Sequence, residues 1–352
     1  MQLRRLGPSE LEVSAVTFGA YPVTGWSWDQ CDPDSATRCL QTAFEAGIRS
    51  VDTAPVYSFG LSEELVGSAL RGRDDVIVMT KVGLNWQENV GPHAFDARKP
   101  DGELARVRRN SRPASIRREV DASLQRLQRE RIDLVQVHAH DPSTPIPETM
   151  GALAELRLEG KLREIGVSNY DVDQLRTAQA ALGEVLLVSV QPPYSLLTRD
   201  IERTVLPHAH SQSIGVLAYS PLDQGLLSGK MTPEKVLAQG DGRNRRASFQ
   251  PENRRRVIEC LAMVVQPIAS ARSISLAQTV IAWTHAQAGV TSALVGARTQ
   301  EQARENATAA SVVLDADELA SIRAGFEQLE LIPGKRPSLI ARIRGKLHKL
   351  RR

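Results

Sequence analysis

Short apolar segments alternate with longer segments of helical periodicity along most of the chain, and this alternation limits the folds that the sequence can adopt. Each apolar segment is rich in β-branched residues and lacks a polar face, as is typical of a strand buried on both sides of a parallel sheet. Several of the helical segments begin after Asp, Ser or Pro and end at Gly. The predicted strands are 15–18, 49–51, 76–79, 132–137, 164–167, 186–190, 215–218 and 293–295, and the predicted helices include 34–46, 63–70, 113–128, 147–158, 171–181 and 202–211.

Eight strands with crossover helices predict an α/β fold, a closed (β/α)8 TIM barrel. An open doubly wound sheet is the alternative, but it would need a Gly-rich G-x-G-x-x-G turn after an early strand, which the sequence lacks. The length of 352 residues alone leaves one or two domains open, because an α/β barrel routinely uses about 250 residues or more as one domain. We predict that this domain spans 1–334 and that a separate tail occupies 335–352.

Three segments interrupt the strand–helix rhythm. The residues before the first strand predict a small hairpin that turns at Gly7-Pro8 and plugs the bottom of the barrel. Insertions at 83–112 and 222–253 follow the third and seventh strands. Both therefore lie at the carboxyl-terminal face, where long loops usually belong to the active site.

Composition excludes several classes of protein. Hydrophobic residues make up 41% of the chain and charged residues 24%, as in ordinary globular proteins. No apolar run approaches the roughly 20 residues of a membrane helix, and the amino end has no signal-peptide core, so a cytoplasmic location is predicted. Cys31, Cys39 and Cys260 form no close pair, which argues against a zinc site or a disulfide framework. No metal site is expected.

The basic residues are concentrated in the tail. Residues 335–352 contain eight Lys or Arg and no acid, so the rest of the chain is net acidic and nucleic acid is not an expected partner. Apolar residues recur in the tail at helical spacing, which predicts a basic amphipathic helix. Three alternatives stay open: the helix packs on the barrel, contacts an acidic partner or surface, or has no role. We expect a monomer without stable membrane insertion.

Polar residues follow the predicted strands, where barrel enzymes place their catalytic groups. Asp52 and Lys81 follow the second and third strands, Tyr57 lies five residues after Asp52, and His138 follows the fourth strand. A tyrosine normally titrates near 10 and needs a cation beside it to act as an acid at neutral pH. Lys81 would lower the pKa of Tyr57, Asp52 would hold Lys81 charged, and His138 could bind the oxygen of a carbonyl. Reduction also needs a hydride donor, which implies a nicotinamide cofactor.

Several motifs, in order and spacing, resemble the aldo-keto reductases. They are DTAPVYSFGLSEELVGSAL, VIVMTKVG, IDLVQVHAHD, GKLREIGVSN, LVSVQPPYSLL, GVLAYSPLDQGLLSGK and LVGARTQEQAREN. The resemblance covers nearly the whole barrel, from about residue 10 to 310. The style of the long loops is similar to the bacterial branch and to the branch that includes potassium-channel β-subunits.

The resemblance implies roles for individual residues. Asp52, Tyr57, Lys81 and His138 would be the family's catalytic tetrad, with Tyr57 as the general acid. Ser168, Asn169 and Gln191 would hold the nicotinamide carboxamide, and Tyr219 would stack on its ring. The residues that would wrap the pyrophosphate are Ser220, Leu222, Gly225, Leu227 and Lys230. The full set of cofactor-binding residues implied is Gly19, Asp52, Ser168, Asn169, Gln191, Tyr219, Ser220, Leu222, Gly225, Leu227, Lys230, Gly296, Arg298, Gln302, Glu305 and Asn306.

The last motif, from Gly296 to Asn306, resembles the adenosine site of the family but departs from many of its animal members. They carry Lys and Arg, which bind the 2′-phosphate of NADPH, where this chain has Gly296 and Gln302. Arg298 and Arg304 are nearby substitutes, and an arginine can grip a phosphate with two hydrogen bonds. The sequence therefore favours NADPH and leaves NADH open.

Aromatic residues are concentrated in the loops after the first three strands and predict an apolar substrate pocket, with ordinary loop packing as the alternative. His140, between the catalytic histidine and Asp141, is a further candidate for substrate choice. The predicted substrate residues are Tyr21, Trp26, Trp28, Phe59, Trp86 and His140.

The sequence thus predicts an NADPH-dependent reductase that converts an aldehyde or ketone into an alcohol without a metal. A narrower alternative is a pathway-specific ketoreductase for a sugar or another biosynthetic intermediate. An alternative from another class is a redox-sensing, NADPH-binding regulatory subunit, since channel β-subunits have the same fold.

Overall fold

A computed structural model describes residues 1–25, 32–238 and 241–333. Its strands are β1 (Leu3–Arg5), β2 (Glu12–Ser14), β3 (Val16–Gly19), β4 (Ser50–Asp52), β5 (Ile77–Val82), β6 (Leu84–Asn85), β7 (His93–Arg98), β8 (Leu104–Arg109), β9 (Ile132–Val137), β10 (Leu162–Ser168), β11 (Leu187–Gln191), β12 (Gly215–Tyr219) and β13 (Val290–Val295). Its α-helices are α1 (Pro33–Glu45), α2 (Leu61–Ala69), α3 (Pro113–Leu127), α4 (Ile146–Leu158), α5 (Val172–Leu182), α6 (Val205–Ser211), α7 (Pro251–Cys260), α8 (Gln266–Ala271), α9 (Leu276–His285), α10 (Gln300–Ala309) and α11 (Ala316–Glu327).

Eight parallel strands close into a barrel in the order β3-β4-β5-β9-β10-β11-β12-β13, and β13 pairs with β3. Each strand matches one of the eight apolar segments, so the predicted TIM barrel is confirmed. The strands are short and buried on both faces because helices cover the outside and side chains fill the inside. Their carboxyl ends therefore meet at one rim, where the loops converge.

The predicted helix at 202–211 is wrong in its first turn. Residues Asp200–Arg203 form a 3-10 turn, and α6 begins only at Val205. Thr204 separates them with φ −132° and ψ −85°. Pro207 explains the break, because a proline lacks an N–H and is best tolerated in the first turn of a helix.

The amino-terminal hairpin closes the bottom of the barrel, as predicted. Strands β1 and β2 are antiparallel, and buried Leu6, Leu11 and Val13 pack with apolar residues inside the barrel, among them Met79 and Leu217. These contacts remove apolar surface from water at the end of the barrel opposite the catalytic rim.

Gly7 lets the hairpin approach the barrel wall. Its φ is +56°, and an added Cβ would lie 2.3 Å from the Val188 carbonyl oxygen and 2.9 Å from the Gly215 nitrogen. Only glycine combines this left-handed backbone with such a close approach.

The first insertion folds into a small sheet that the sequence did not predict. Strands β6, β8 and β7 pair antiparallel in that order. Buried Leu84 and Val107 of this sheet pack against Ala54 and Val56, beside the rim of the barrel. The second insertion contains short 3-10 turns before α7, so its prediction as a long loop holds.

The end of the described chain is tied to α7. The Asn253 side chain accepts a hydrogen bond of 2.8 Å from the Ile332 N–H and donates one of 2.9 Å to the Ile332 carbonyl. The predicted tail at 335–352 lies outside the described residues. Within the described ranges, no single helix is long and apolar enough to cross a membrane, and only the segment Pro251–Ala271 together with α9 reaches that length and composition, as a pair bent by 92°.

Gly7→Ala should destabilise the protein by about 2–4 kcal/mol, because the new Cβ meets backbone atoms and the left-handed conformation is itself costly. Urea unfolding measures this loss. Gly72→Ala is the matched control: its φ is +73°, but no atom lies within 4 Å of the added Cβ. It should lose only about 1–2 kcal/mol, and equal losses in the two variants would contradict the account of the plug.

Candidate active site

Four polar side chains meet at the carboxyl rim of the barrel. Asp52 ends β4, Lys81 lies near the end of β5, and His138 directly follows β9. Tyr57 begins the 3-10 turn between β4 and α2. The side chains of Lys81 and Asp52 are only 1% and 4% exposed. The barrel thus brings together the four residues of the predicted tetrad.

The Lys81 ammonium group is held by three acceptors. It donates to Asp52 Oδ1 at 2.5 Å, to the Thr53 carbonyl at 2.9 Å and to the Tyr57 hydroxyl at 3.2 Å. Because an ammonium has three protons, this set uses its whole donor capacity. Lys81 is therefore fixed with its charge beside the Tyr57 oxygen.

Burial and charge oppose each other at Tyr57. Burial is the larger effect and raises the pKa of Tyr57 to about 12, although the positive charge of Lys81 acts to lower it. The predicted direction of the lysine effect is correct, but the predicted net lowering of the pKa is wrong because desolvation of the phenolate outweighs it. The Tyr57 hydroxyl is accordingly protonated at neutral pH.

His138 is a neutral imidazole next to this hydroxyl. Burial, assisted by the charge of Lys81, holds the pKa of His138 well below its usual value. Its ring lies 5.8 Å from the Tyr57 ring, centroid to centroid, at an interplanar angle of 84°. Burial also opposes the charge on Lys81, but attraction by Asp52 keeps the pKa of Lys81 above its ordinary value.

Sequence reasoning missed Gln136. This residue is fully buried within β9, and its Nε2 donates to Asp52 Oδ2 at 3.1 Å. Gln191 Nε2 donates to the same oxygen at 2.9 Å. Gln136 lies within β9 and not after its end, so the pattern of polar residues at strand ends does not include it. The available signal was a lone amide in an otherwise apolar run.

The residues predicted to hold the nicotinamide lie beside the tetrad. Ser168 Oγ donates to the Gln191 carbonyl at 2.8 Å. Asn169 Nδ2 donates to the His138 carbonyl at 2.9 Å, and the Tyr219 hydroxyl donates to Asn169 Oδ1 at 3.0 Å. A chain of hydrogen bonds therefore connects β10, β11 and β12 to the loop that carries His138.

The turn after β12 has several residues in the left-handed region. The φ angles of Ser220, Asp223, Gln224 and Gly225 are 58°, 43°, 54° and 92°. Turns of this kind can aim successive N–H groups at an anion. An added Cβ at Gly225 would meet no atom within 4 Å, so there is open space beside the turn.

Two arginines of the second insertion clasp this turn. Arg246 forms an ion pair of 3.0 Å with the buried carboxylate of Asp223, and Arg243 donates to the Gln224 carbonyl at 3.3 Å. Burial raises the pKa of Asp223, and the charge of Arg246 opposes that rise. The clasp fixes the turn at the rim.

The remaining predicted phosphate-binding residues have different surroundings. Leu222 is half-buried and accepts hydrogen bonds from the backbone of the same turn. The side chain of Leu227 is buried in the core, so only its backbone faces the turn, with its N–H donating to the Leu222 carbonyl at 3.1 Å. Lys230 is exposed and pairs with Glu305 at 3.1 Å.

The predicted adenosine residues form one cluster at the start of α10. Gln302 Oε1 accepts a hydrogen bond of 2.8 Å from the Arg298 N–H, and Asn306 Nδ2 donates to the Gly296 carbonyl at 3.1 Å. A Cβ on Gly296 would lie 2.2 Å from Pro22 Cγ and 3.0 Å from the Gly19 carbonyl oxygen. A lysine therefore does not fit at 296 without movement, which accounts for the departure seen in the sequence.

Aromatic rings surround the rim near Tyr57. Tyr21 packs edge-on against Tyr57 at 5.0 Å between ring centroids, and Phe59 packs edge-on against Trp86 at 5.5 Å. His140 lies past the end of β9 and contacts Tyr170, which was not predicted, at 5.9 Å. Trp26 and Trp28 lie outside the described residues. Within the described ranges, no three His, Cys, Asp or Glu side chains are arranged to hold a metal ion.

Comparison with known proteins identifies the family. The sequence model described as the aldo/keto reductase family matches residues 15–325. The chain belongs to this family. It is 36% identical over 333 residues to the NADH-specific methylglyoxal reductase of Escherichia coli (strain K12), covering 92% of this chain and 98% of that protein. Members of the family are NAD(P)H-dependent oxidoreductases that act on carbonyl groups, and this aldo-keto reductase is an enzyme of that class.

Two further comparisons confirm the branch and the fold. A probable voltage-gated potassium channel subunit beta of Oryza sativa subsp. japonica is 32% identical over 324 residues, covering 89% of this chain and 92% of that protein. The structure of a glycerol dehydrogenase from Gluconobacter oxydans superposes with a TM-score of 0.83 at 34% identity, covering 95% of this chain and 97% of that one.

Proposed function

We propose that this aldo-keto reductase reduces an aldehyde or ketone with NADPH and that Tyr57 is the general acid. The observation that carries the proposal is the contact of 3.2 Å between Lys81 Nζ and the Tyr57 hydroxyl, with Lys81 itself paired to Asp52. A protonated hydroxyl beside a fixed cation can release its proton, because the cation stabilises the phenolate that is left.

The nicotinamide supplies a hydride to the carbonyl carbon when the cofactor is bound. The residues of the chain provide the rest of the chemistry. Tyr57 transfers its proton to the carbonyl oxygen, and the charge of Lys81 compensates the phenolate. Neutral His138 donates a hydrogen bond to the same oxygen and orients it toward Tyr57. Tyr21, Phe59 and Trp86 provide apolar surface for the remainder of the substrate.

The cofactor contacts proposed from the sequence fit the geometry. Ser168, Asn169 and Gln191 lie next to the tetrad and would hold the carboxamide of the nicotinamide there. The left-handed turn from Ser220 to Gly225 suits the pyrophosphate. The cluster at the start of α10 then receives the adenosine, since a helix amino end favours phosphate.

NADPH is proposed over NADH because Arg298 belongs to the adenosine cluster and Arg304 lies on α10 between Gln302 and Asn306. The Arg298 N–H is fixed by Gln302, so the residue has a defined backbone position at the site. The E. coli relative is named as NADH-specific, which makes cofactor choice the first property to measure. The substrate, the cytoplasmic location and the monomeric state stay predictions.

Tyr57→Phe should abolish carbonyl reduction and leave NADPH binding nearly unchanged, because the substitution removes the acid but keeps the ring. The test follows the absorbance of NADPH and NADH with a panel of aldehydes, ketones and keto-sugars, with wild type and variant side by side. A variant that turns over at the wild-type rate would contradict the assignment. A wild type that binds NADPH tightly but reduces none of the panel would favour the regulatory-subunit alternative.

Arg298→Ala should raise the dissociation constant for NADPH about tenfold or more and change that for NADH little, because a charged hydrogen bond to the 2′-phosphate is worth about 1.5–3 kcal/mol. Fluorescence titration with each cofactor gives the two constants. Arg176→Ala, on an exposed side chain of α5, is the matched control. Equal changes for NADPH and NADH would place the 2′-phosphate elsewhere.

A further inference from the structure

Gln136 is a polar residue in a place that would ordinarily be apolar. It lies on β9 two residues before His138, with its side chain inside the barrel and fully buried. Its neighbours Leu134, Val135 and Val137 are all buried and apolar. An amide in such a place costs free energy unless it is hydrogen-bonded. Its partners therefore show what it does there.

Both ends of the Gln136 amide are used. Nε2 donates to Asp52 Oδ2 at 3.1 Å, and Oε1 accepts from Gln191 Nε2 at 3.3 Å. Gln191 Nε2 also donates to Asp52 Oδ2, at 2.9 Å. The three side chains form a closed triangle directly under the tetrad. Of these three residues, Asp52 is the partner of Lys81, and Gln191 is a proposed contact of the carboxamide.

The barrel wall leaves room for this triangle. Gly166 on β10 lies beside Gln136 on one strand and Ser189 on the other. A Cβ at Gly166 would lie 3.0 Å from Gln136 Cγ and 2.3 Å from Ser189 Oγ. Any larger residue at 166 would therefore press on the stem of Gln136.

We propose that Gln136 is a positioning residue that couples cofactor binding to the proton donor. By accepting from Gln191 Nε2, it fixes the Gln191 amide with its nitrogen toward Asp52, so Gln191 Oε1 is left to accept from the carboxamide. By donating to Asp52 Oδ2, it holds the carboxylate in the orientation in which Oδ1 accepts a hydrogen bond from the Lys81 ammonium group. This inference rests on the proposed function of the site.

The orientations of the Gln191 amide and the Asp52 carboxylate thus both depend on the amide of Gln136. Without Gln136, the nitrogen of the Gln191 amide loses one of its two acceptors. Repulsion between the Gln191 oxygen and the Asp52 carboxylate is then all that opposes rotation of the amide by half a turn. Asp52 loses one of the two amide donors to its Oδ2, so the carboxylate is held less firmly in the orientation that pairs Oδ1 with Lys81. Both effects reach the reaction although Gln136 touches neither substrate nor cofactor.

Gln136→Met tests the proposal, since methionine keeps the length and volume of the side chain and removes both hydrogen bonds. We expect the NADPH dissociation constant to rise about fivefold to tenfold, kcat to fall by about tenfold or more, and KM for the carbonyl to change little. Ser189→Ala is the matched control, because Ser189 Oγ is equally buried and has no hydrogen-bond partner among the described residues. It should leave the cofactor affinity within about twofold of wild type.

Gln136→Glu distinguishes a positioning role from a purely structural one through the pH dependence of its NADPH affinity. The carboxylate would repel Asp52, whereas the protonated acid can donate to Asp52 and accept from Gln191. The NADPH affinity of this variant should therefore recover toward the wild-type value as the pH falls and weaken as it rises, relative to wild type at each pH.

Two results would overturn the proposal: a Gln136→Met variant with wild-type cofactor affinity and kcat, or a Gln136→Glu variant whose affinity follows the wild-type pH dependence. Thermal unfolding of each variant separates these outcomes from loss of fold. Cofactor affinity is measured without substrate, so a wild type that reduces no carbonyl would refute the proposed function while this test still gives its answer.

Discussion

The buried ion pair between Lys81 and Asp52 is the interaction on which the site depends. Two charges are taken out of water there, and leaving either one alone would cost about 3–5 kcal/mol. The structure compensates for this burial with a complete set of partners. Lys81 is bonded by Asp52, Thr53 and Tyr57, and the second oxygen of Asp52 is bonded by two amides. The cation therefore has one position, and that position is next to the tyrosine hydroxyl.

The barrel makes this ion pair possible because it keeps an apolar layer at one end of its interior and a polar layer at the other. The hairpin plug fills the lower interior with apolar side chains that surround Leu6 and Leu11. The polar layer lies above it, near the carboxyl ends of β4, β5, β9 and β11, which contribute Asp52, Lys81, Gln136 and Gln191. Because each residue comes from a different strand, strand register determines their mutual geometry, and the loops above the rim are free to determine the substrate.

Sequence patterns predict the parts of this structure that local chemistry controls. The eight strands follow from short apolar runs, and the tetrad follows from the polar residues at strand ends and from the family motifs. The patterns miss features that depend on distant pairing. Examples are the sheet β6-β8-β7, the contact between Asp223 and Arg246, and Gln136, whose importance is visible only once the closed barrel brings its side chain to Asp52. The net pKa of Tyr57 also needed the structure, because burial and the charge of Lys81 have opposite signs.

The most direct measurement is the pH dependence of kcat for Asp52→Asn beside wild type. In wild type, attraction by Asp52 keeps the pKa of Lys81 above its usual value despite burial, so the cation persists and kcat should stay flat through neutral and mildly alkaline pH. The variant removes the main attraction that opposes burial, which lowers the pKa of Lys81. Its kcat should therefore be lower throughout and fall further as rising pH removes the charge. A variant with a flat profile at the wild-type level would contradict the claim that this ion pair sustains the proton donor.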